Sequence, residues 1–341
     1  MTIIAPRTEP RGFTLIELLV VVAILGLLAV VVLPNLAGTI SSRRYREAAR
    51  DTSAFIARCQ SRAIGASAPK GVMLQPLTAN TATAIDLYFA DTPPVYAGET
   101  SLSTATISGV TNVTAGPLTV TFDGATQTRL SQETDFCRAG DAIQFGGTGA
   151  KLKFLPPNQV TMWFEANQSP RNTAWPRAQG AGLSFRIWRQ PTRGPGGVLQ
   201  LQKGASVDLA WSCLGTRPFR DFMGTNLTDN SISILFDASG KPMELVHSGG
   251  VRTPVGEPVF LLIGETDLAG NPYDPTVSRD ASGTAPEDRG GANWQYGDCV
   301  WLCIDNHSGV VKSANVAPGT TSVLASQRFV RLTIGYGAAE K

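Results

Sequence analysis

Histidine and cysteine are the side chains in this sequence best suited to acid–base, nucleophilic or metal chemistry. The chain has two histidines, His247 and His307, and they lie far apart in sequence. Histidine is the usual acid–base catalyst near neutral pH and a common zinc ligand, so this scarcity disfavours histidine-based catalysis and metal sites. No serine, histidine and aspartate stand out at a catalytic spacing, and no cysteine and histidine do so either. We therefore expect a protein without enzymatic activity.

The five cysteines are too few for a disulfide scaffold, and their odd number leaves at least one thiol outside any intrachain bridge. Cys299 and Cys303 lie in a run that is typical of a β-strand. A rise of about 3.3 Å per residue places them about 13 Å apart, which is too far for a disulfide. We predict two buried thiols on one strand face rather than zinc ligands.

A loop rich in oxygen ligands follows residue 266. Asp267, Asn271 and Asp274 could coordinate calcium through their side-chain oxygens. The spacing is not that of an EF-hand, however, so a solvated loop is the preferred interpretation. We therefore expect no metal and no cofactor, with calcium at these three residues as the alternative.

Residues 13–33 form an apolar segment whose one charged side chain is Glu17. A helix of this length spans about 31 Å, which matches the hydrocarbon core of a bilayer, so we predict a transmembrane helix. The segment is longer than the apolar region of a cleaved secretory signal, which runs about 7 to 15 residues. A carboxylate in a spanning helix usually marks a function with a nearby partner, although Glu17 could also reach the headgroups.

The residues from Gly12 to Glu17, Gly-Phe-Thr-Leu-Ile-Glu, precede this apolar run and resemble the class III signal of type IV pilins and type II secretion pseudopilins. The resemblance implies a leader peptide at residues 1–12, which a prepilin peptidase cuts between Gly12 and Phe13. It also implies N-methylation of the new Phe13 amine. Glu17 and Pro34 then fall where the family has a glutamate and a helix-kinking proline.

The same resemblance implies a mechanism of assembly and a location. The freed Phe13 amine is mostly cationic at neutral pH, so that Glu17 of one subunit can pair with the amine of its neighbour. This pairing offsets the cost of burying either charge and sets the axial offset between subunits. The implied partners are other pilin or pseudopilin subunits, the prepilin peptidase, an inner-membrane assembly platform and the lipid bilayer. The implied location is the bacterial inner membrane, with the amino terminus cytoplasmic and the carboxyl domain periplasmic, and then the filament.

Residues 34–67 continue the helix with an amphipathic pattern. Pro34 predicts a kink, after which apolar residues recur every three or four positions up to Ala63. The opposite face is rich in arginine and carries a local charge of about +4. This basic face either contacts anionic headgroups or is simply solvated.

From residue 68 to residue 341, short β-prone runs alternate with turn residues and predict a β-rich periplasmic or extracellular domain. Together with the preceding helix, this pattern predicts an α+β fold with a mainly antiparallel sheet, pilin-like but enlarged. The runs around 231–240 and 300–311 resemble the final hairpins of H-type minor pseudopilins. Residues Pro94 to Gln202 exceed a compact pseudopilin and suggest an inserted β region. Expected strands include Val300 to Asp305 and Phe329 to Ile334.

The overall charge separates the remaining function classes. A net charge of +2 with 16% charged residues excludes an acidic disordered chain and a polybasic nucleic-acid binder, so no nucleic-acid partner is expected. We predict a non-catalytic filament subunit, foremost a minor pseudopilin of a type II secretion system. The alternatives are a minor type IV pilin with a role in adhesion or DNA uptake, and a membrane-anchored binding or enzyme domain outside any filament.

Overall fold

The structure is a computed structural model that describes residues 14–66, 68–77, 82–108, 118–133, 135–146, 151–161, 182–223, 231–247, 250–276, 290–317 and 322–335. For residues 29–41 it describes the backbone alone. Within these ranges the fold is α+β, and every pair of neighbouring strands runs antiparallel, as the sequence predicts.

The long amino-terminal helix predicted from the sequence is present. Helix α1 spans Leu15–Ile64 and is assigned as helix through Pro34, so that proline does not end it. The helix begins after Thr14, whose side chain caps it, and it ends at Gly65. At about 1.5 Å per residue its length is about 75 Å, more than twice what a small domain can cover. Part of α1 must therefore extend beyond the globular region.

Two antiparallel sheets contain the strands of the described residues. The main sheet has the spatial order β15-β14-β13-β1-β2-β11-β16-β17-β18, with β9 and β10 added to β2 and β12 added to β11. Its strands are β1 (Lys70–Pro76), β2 (Thr83–Asp91), β9 (Thr192–Arg193), β10 (Leu199–Gln200), β11 (Ala205–Leu214), β12 (Arg217–Pro218), β13 (Ile232–Phe236), β14 (Pro242–His247), β15 (Val251–Pro254), β16 (Val259–Glu265), β17 (Val300–Ile304) and β18 (Val311–Asn315). The second sheet has the order β3-β4-β7-β6-β5-β8. Its strands are β3 (Ala105–Ser108), β4 (Leu118–Phe122), β5 (Ala142–Phe145), β6 (Leu152–Leu155), β7 (Gln159–Thr161) and β8 (Phe185–Trp188).

The core of the main sheet lies around its central strands. Every residue of β11, β13, β16 and β17 is buried, which is the pattern of strands covered on both faces. Helix α1 packs along this sheet, chiefly on β1 and β17. The turns Asp237–Lys241 and Asn306–Gly309 join β13 to β14 and β17 to β18, so both predicted hairpins are confirmed.

The second sheet belongs to an insertion within the main sheet, and we call residues 92–191 the inserted module. The chain leaves the main sheet at Asp91 and returns at Thr192, and these two residues lie opposite each other in the pairing of β2 with β9. The inserted module contains helix α2 (Gly124–Gln132) and has a hydrophobic core separate from that of the main sheet. That core includes Ile107, Val120, Phe122, Leu130, Ile143, Phe154, Phe185 and Ile187. A core of its own indicates a separately folded unit.

One predicted strand is wrong. Residues 329–333 belong to helix α4 (Val323–Thr333), and Ile334 is its C-cap, so this segment is not a β-strand. The Ser322 hydroxyl accepts a hydrogen bond from the Ala325 amide at 3.2 Å and so caps the first turn. The helix then packs through Ser326, which accepts a hydrogen bond from Trp301 Nε1 at 3.0 Å, and through the buried Val330. Tertiary packing and a cap outweigh the β propensity of the last residues. A short helix α3 spans Arg220–Met223.

Candidate functional site

The amino-terminal end of α1 is closed by a reciprocal cap between Thr14 and Glu17. Glu17 Oε2 accepts hydrogen bonds from the Thr14 backbone amide and from the Thr14 hydroxyl, each at 2.9 Å. In return, the Glu17 amide donates to the Thr14 hydroxyl at 3.3 Å. Such a capping box satisfies amides that a helix leaves unpaired, and the helix dipole favours an anion at this end. Glu17 therefore has a local partner in the single chain.

The first half of α1 exposes its apolar side chains on all sides. Its large hydrophobic residues from Leu15 to Leu28 are between 49% and 81% exposed. They are Leu15, Ile16, Leu18, Leu19, Val20, Val21, Val22, Ile24, Leu25, Leu27 and Leu28. An apolar surface of this extent indicates a site for protein or lipid contact.

In the part of the chain that the structure describes, no helix contains an apolar stretch of the length that a bilayer crossing requires. The side chains of residues 29–41, which include Pro34, lie outside that description, as do the predicted processing residues Gly12 and Phe13.

The second half of α1 is embedded in the globular region. Its buried positions recur every three to four residues and comprise Tyr45, Ala48, Ala49, Thr52, Phe55, Ile56, Cys59 and Ala63. Near the carboxyl end, Gln60 Nε2 donates to the carbonyls of Gly240 at 3.1 Å and Gly309 at 2.6 Å. Arg62 and Lys70 both lie within 3.4 Å of the Asp91 carboxylate, at the point where the inserted module begins. The helix is thus tied to two turns and to the root of the inserted module.

The basic face predicted for α1 faces solvent. Arg43, Arg46 and Arg50 are exposed, and Arg46 donates to both the carbonyl and the hydroxyl of Ser42 at 3.0 Å. These contacts stay within one helix. They are compatible with either of the two interpretations of this face, headgroup contact or solvation.

The candidate calcium ligands lie in the segment that follows β16. Asp267 is exposed in a short 3₁₀ turn, the Asn271 carbonyl accepts a hydrogen bond from Trp211 Nε1 at 2.8 Å, and Asp274 Oδ1 accepts two hydrogen bonds from Thr276. Over the described part of the chain, no three His, Cys, Asp or Glu side chains gather in a way that could hold a metal. Calcium at these residues stays a prediction.

The two histidines differ in exposure, and the cysteines are all buried. His247 is buried in β14, whereas His307 lies exposed in the turn before β18. All five cysteines are buried and none forms a disulfide within the described residues, which confirms the predicted burial of Cys299 and Cys303. Burial raises the pKa of Cys59, Cys137 and Cys303 to about 12, so these thiols are protonated and unreactive.

Sequence reasoning overlooked Asp208, a carboxylate in the middle of the buried strand β11. Its oxygens accept hydrogen bonds from the amides of Ala210 at 3.1 Å, Trp211 at 3.3 Å and Gly270 at 3.2 Å, and from Asn293 Nδ2 at 3.0 Å. Complete burial raises the pKa of Asp208 to about 6, against the effect of these donors. Asp208 thereby joins an irregularity of β11 to two loops. An aspartate within an otherwise apolar run was the available signal.

Comparison with known proteins adds a match at the amino terminus. The family model described as the prokaryotic N-terminal methylation motif matches residues 9–33. No curated protein and no solved structure matches the chain. The matched residues contain the predicted processing residues, Glu17 and the exposed apolar residues of α1 from Leu15 to Leu28. The chain therefore carries the prepilin-type signal of type IV pilins and pseudopilins.

Proposed function

We propose that this chain is a non-catalytic subunit of a bacterial envelope filament and, most specifically, a minor pseudopilin of a type II secretion system. One observation carries the proposal. A prepilin-type signal at residues 9–33 includes the start of a helix that is apolar and exposed from Leu15 to Leu28 and embedded in an α+β body from Tyr45 onward. A helix built in this way has one half that contacts other subunits or lipid and one half that packs into the globular region of its own chain.

In this proposal, the apolar half first lies in the inner membrane. A prepilin peptidase removes residues 1–12 and methylates Phe13, and the assembly platform then extracts the subunit into the filament. Glu17 leaves its Thr14 cap and pairs with the cationic Phe13 amine of the neighbouring subunit. The charge stays compensated in both states, because the cap serves the single chain and the amine serves the assembly.

The position of the inserted module supports a minor subunit. Its root at Asp91 is bound to Arg62, close to the end of α1 and about 70 Å from Leu15. The additional residues therefore extend the end of the subunit that lies farthest from the exposed apolar helix. A subunit enlarged at this end suits the tip of a filament, where no further copy has to stack above it.

The mature amino terminus tests the proposal. Mass spectrometry of the chain from its native membrane is expected to show a start at N-methylated Phe13. Retention of Met1 would contradict processing and would favour the alternative of a membrane-anchored binding or enzyme domain. If Phe13 is confirmed, cross-linking in cells then distinguishes the filaments, since a minor type IV pilin would cross-link to pilus subunits and not to pseudopilins.

A further inference from the structure

A groove of about 500 Å³ lies where the inserted module joins the main sheet. Its apolar lining comes from the entry to β1 (Pro69), from the entry to the inserted module (Pro93, Pro94 and Val95), and from Met243. Val95 is 47% exposed and Met243 is 39% exposed, although both are apolar. Exposed apolar side chains around a concavity at a module boundary are typical of a binding site.

The walls of the groove are held together by Arg252, so the groove exists before any ligand binds. The Arg252 guanidinium donates to Glu244 Oε2 at 2.7 Å and to the Arg189 carbonyl at 2.8 Å. The side chains of Arg252 and Glu244 are only 10% and 15% exposed. These bonds join β15 of the main sheet to the residue that follows β8 of the inserted module. A preformed site loses little conformational entropy on binding.

The polar groups of the groove favour an acidic ligand. Glu244 and Arg252 neutralise each other, and the remaining charged lining residue is Lys151, whose Nζ lies 4.6 Å from the centre of the Trp188 ring. The groove is therefore cationic overall. The Thr92 hydroxyl, which also belongs to the lining, is buried and has no hydrogen-bond partner in the described part of the chain.

The backbone of β15 adds groups that suit a polypeptide. The Val255 amide donates to the Met243 carbonyl at 3.0 Å. In an antiparallel pair, every second residue of a strand directs its amide and carbonyl towards the partner strand. Val255 is one of these residues. Arg252 lies three positions earlier and is not, so its amide and carbonyl point away from β14. Strand β15 ends the main sheet in the described order, and Arg252 lines the groove. An extended segment could therefore hydrogen-bond to this edge, as in peptide recognition by strand addition.

We propose that this groove binds an extended polypeptide segment of a partner protein, with apolar side chains on either side of a carboxylate. The apolar side chains contact Pro93, Val95 and Met243, and the carboxylate contacts Lys151. The backbone of the segment bonds to Arg252 at the edge of β15, which ends the main sheet in the described part of the chain. This inference does not depend on filament assembly, because binding is measured on the single chain.

Selection from a library of random displayed peptides tests the proposal. The full chain in detergent is the target, and detergent-coated beads are the control. Enriched peptides are expected to carry Asp or Glu between apolar residues. Measured singly by fluorescence polarisation, they are expected to bind Lys151→Glu at least about tenfold more weakly than the wild type. Lys203→Glu, a charge reversal at an exposed lysine outside the lining, is expected to change affinity less than about twofold.

A second measurement reports on the edge of β15. Hydrogen exchange of the Arg252 amide is expected to slow when an enriched peptide is bound. Enrichment no greater than on the control beads, equal binding to Lys151→Glu and wild type, or unchanged exchange at Arg252 would each overturn the proposal. Self-association of the wild-type chain that Val95→Asp abolishes would identify a second copy as the occupant and would also overturn it. Circular dichroism confirms beforehand that each variant is folded.

Discussion

Glu17 accepts hydrogen bonds from both the amide and the hydroxyl of Thr14, at 2.9 Å each, and so closes the start of α1 within its own chain. An ionised carboxylate among apolar residues needs such donors, because an uncompensated charge is costly to bury. The proposed assembly exchanges this local partner for the amine of a neighbour. The cap therefore gives Glu17 a role in the single chain before assembly, which the signal motif by itself does not reveal.

Glu17→Val is expected to leave cleavage after Gly12 intact and to prevent stable entry into the filament. The variant loses the carboxylate that compensates the neighbour's amine, while the processing residues are unchanged. The processed fraction is measured by mass spectrometry, and incorporation is measured by the amount of variant in sheared filaments. Thr14→Val serves as the matched control, because it removes the hydroxyl of the cap and keeps the carboxylate. Equal incorporation of Glu17→Val and wild type would contradict the pairing.

Asp208 is expected to make the main sheet more stable as the pH falls from 7 towards 4. Its pKa of about 6 in the folded chain lies above the ordinary value of 3.8, so the folded state binds the proton more tightly than the unfolded state. The free energy of unfolding therefore increases as the pH falls from about 6 to 3.8 and decreases as the pH rises through the same range, by at most about 3 kcal/mol in total.

Urea unfolding at several pH values measures this contribution of Asp208. The free energy of unfolding of the wild type relative to Asp208→Asn should increase on acidification between pH 7 and pH 4. The Asp208→Asn variant is expected to be less stable than the wild type at all pH values. Its NH₂ group faces N–H donors from which the carboxylate accepts hydrogen bonds. A difference that is constant with pH would show that Asp208 does not titrate in this range.

The five cysteines are expected to resist alkylation in the folded chain. All are buried, and burial raises the pKa of Cys59, Cys137 and Cys303 to about 12, so almost no thiolate is present at neutral pH. Iodoacetamide followed by intact-mass measurement should add no label before unfolding and five labels in denaturant. Rapid labelling of any one thiol under native conditions would locate a region that opens.

The inserted module is expected to be removable without loss of the main sheet. Asp91 and Thr192 are neighbours across β2 and β9, so a short Gly-Ser turn can replace residues 92–191 without moving either strand. The deletion variant should retain the native fluorescence of the tryptophans buried in the main core, which are Trp211, Trp294 and Trp301. It should also unfold in a cooperative transition. As a complementary variant, Phe154→Ala should destabilise the inserted module by about 3–5 kcal/mol. Loss of native tryptophan fluorescence in the deletion variant would show that the two cores fold as one.

The parts of the fold that were predictable from the sequence depend on local chemistry. The apolar run of α1, its amphipathic continuation and the turns around Gly240 and Gly309 are each specified by neighbouring residues. Helix α4 was not predictable from Phe329 to Ile334 alone, because its cap at Ser322 and its contact with Trp301 decide the conformation.

The groove and the hydrogen bonds of Asp208 were not predictable from the sequence, for a different reason. Lys151, Trp188 and Met243 line one groove although they are distant in sequence, and Asp208 meets Asn293 across 85 positions. Such sites arise from the pairing of strands that are remote along the chain, and a periodic pattern carries no information on that pairing. The prepilin-type signal, in contrast, is contiguous and was recognisable at once.

The embedding of α1 has a mechanical consequence. Its buried residues from Tyr45 to Ala63 cover about 27 Å along the helix axis, and they lie against strands of the main sheet. A force applied at Leu15 along the helix would load all these contacts together in shear, rather than peeling them apart one turn at a time. The subunit would therefore resist a force along the helix axis far better than an equal force applied perpendicular to that axis.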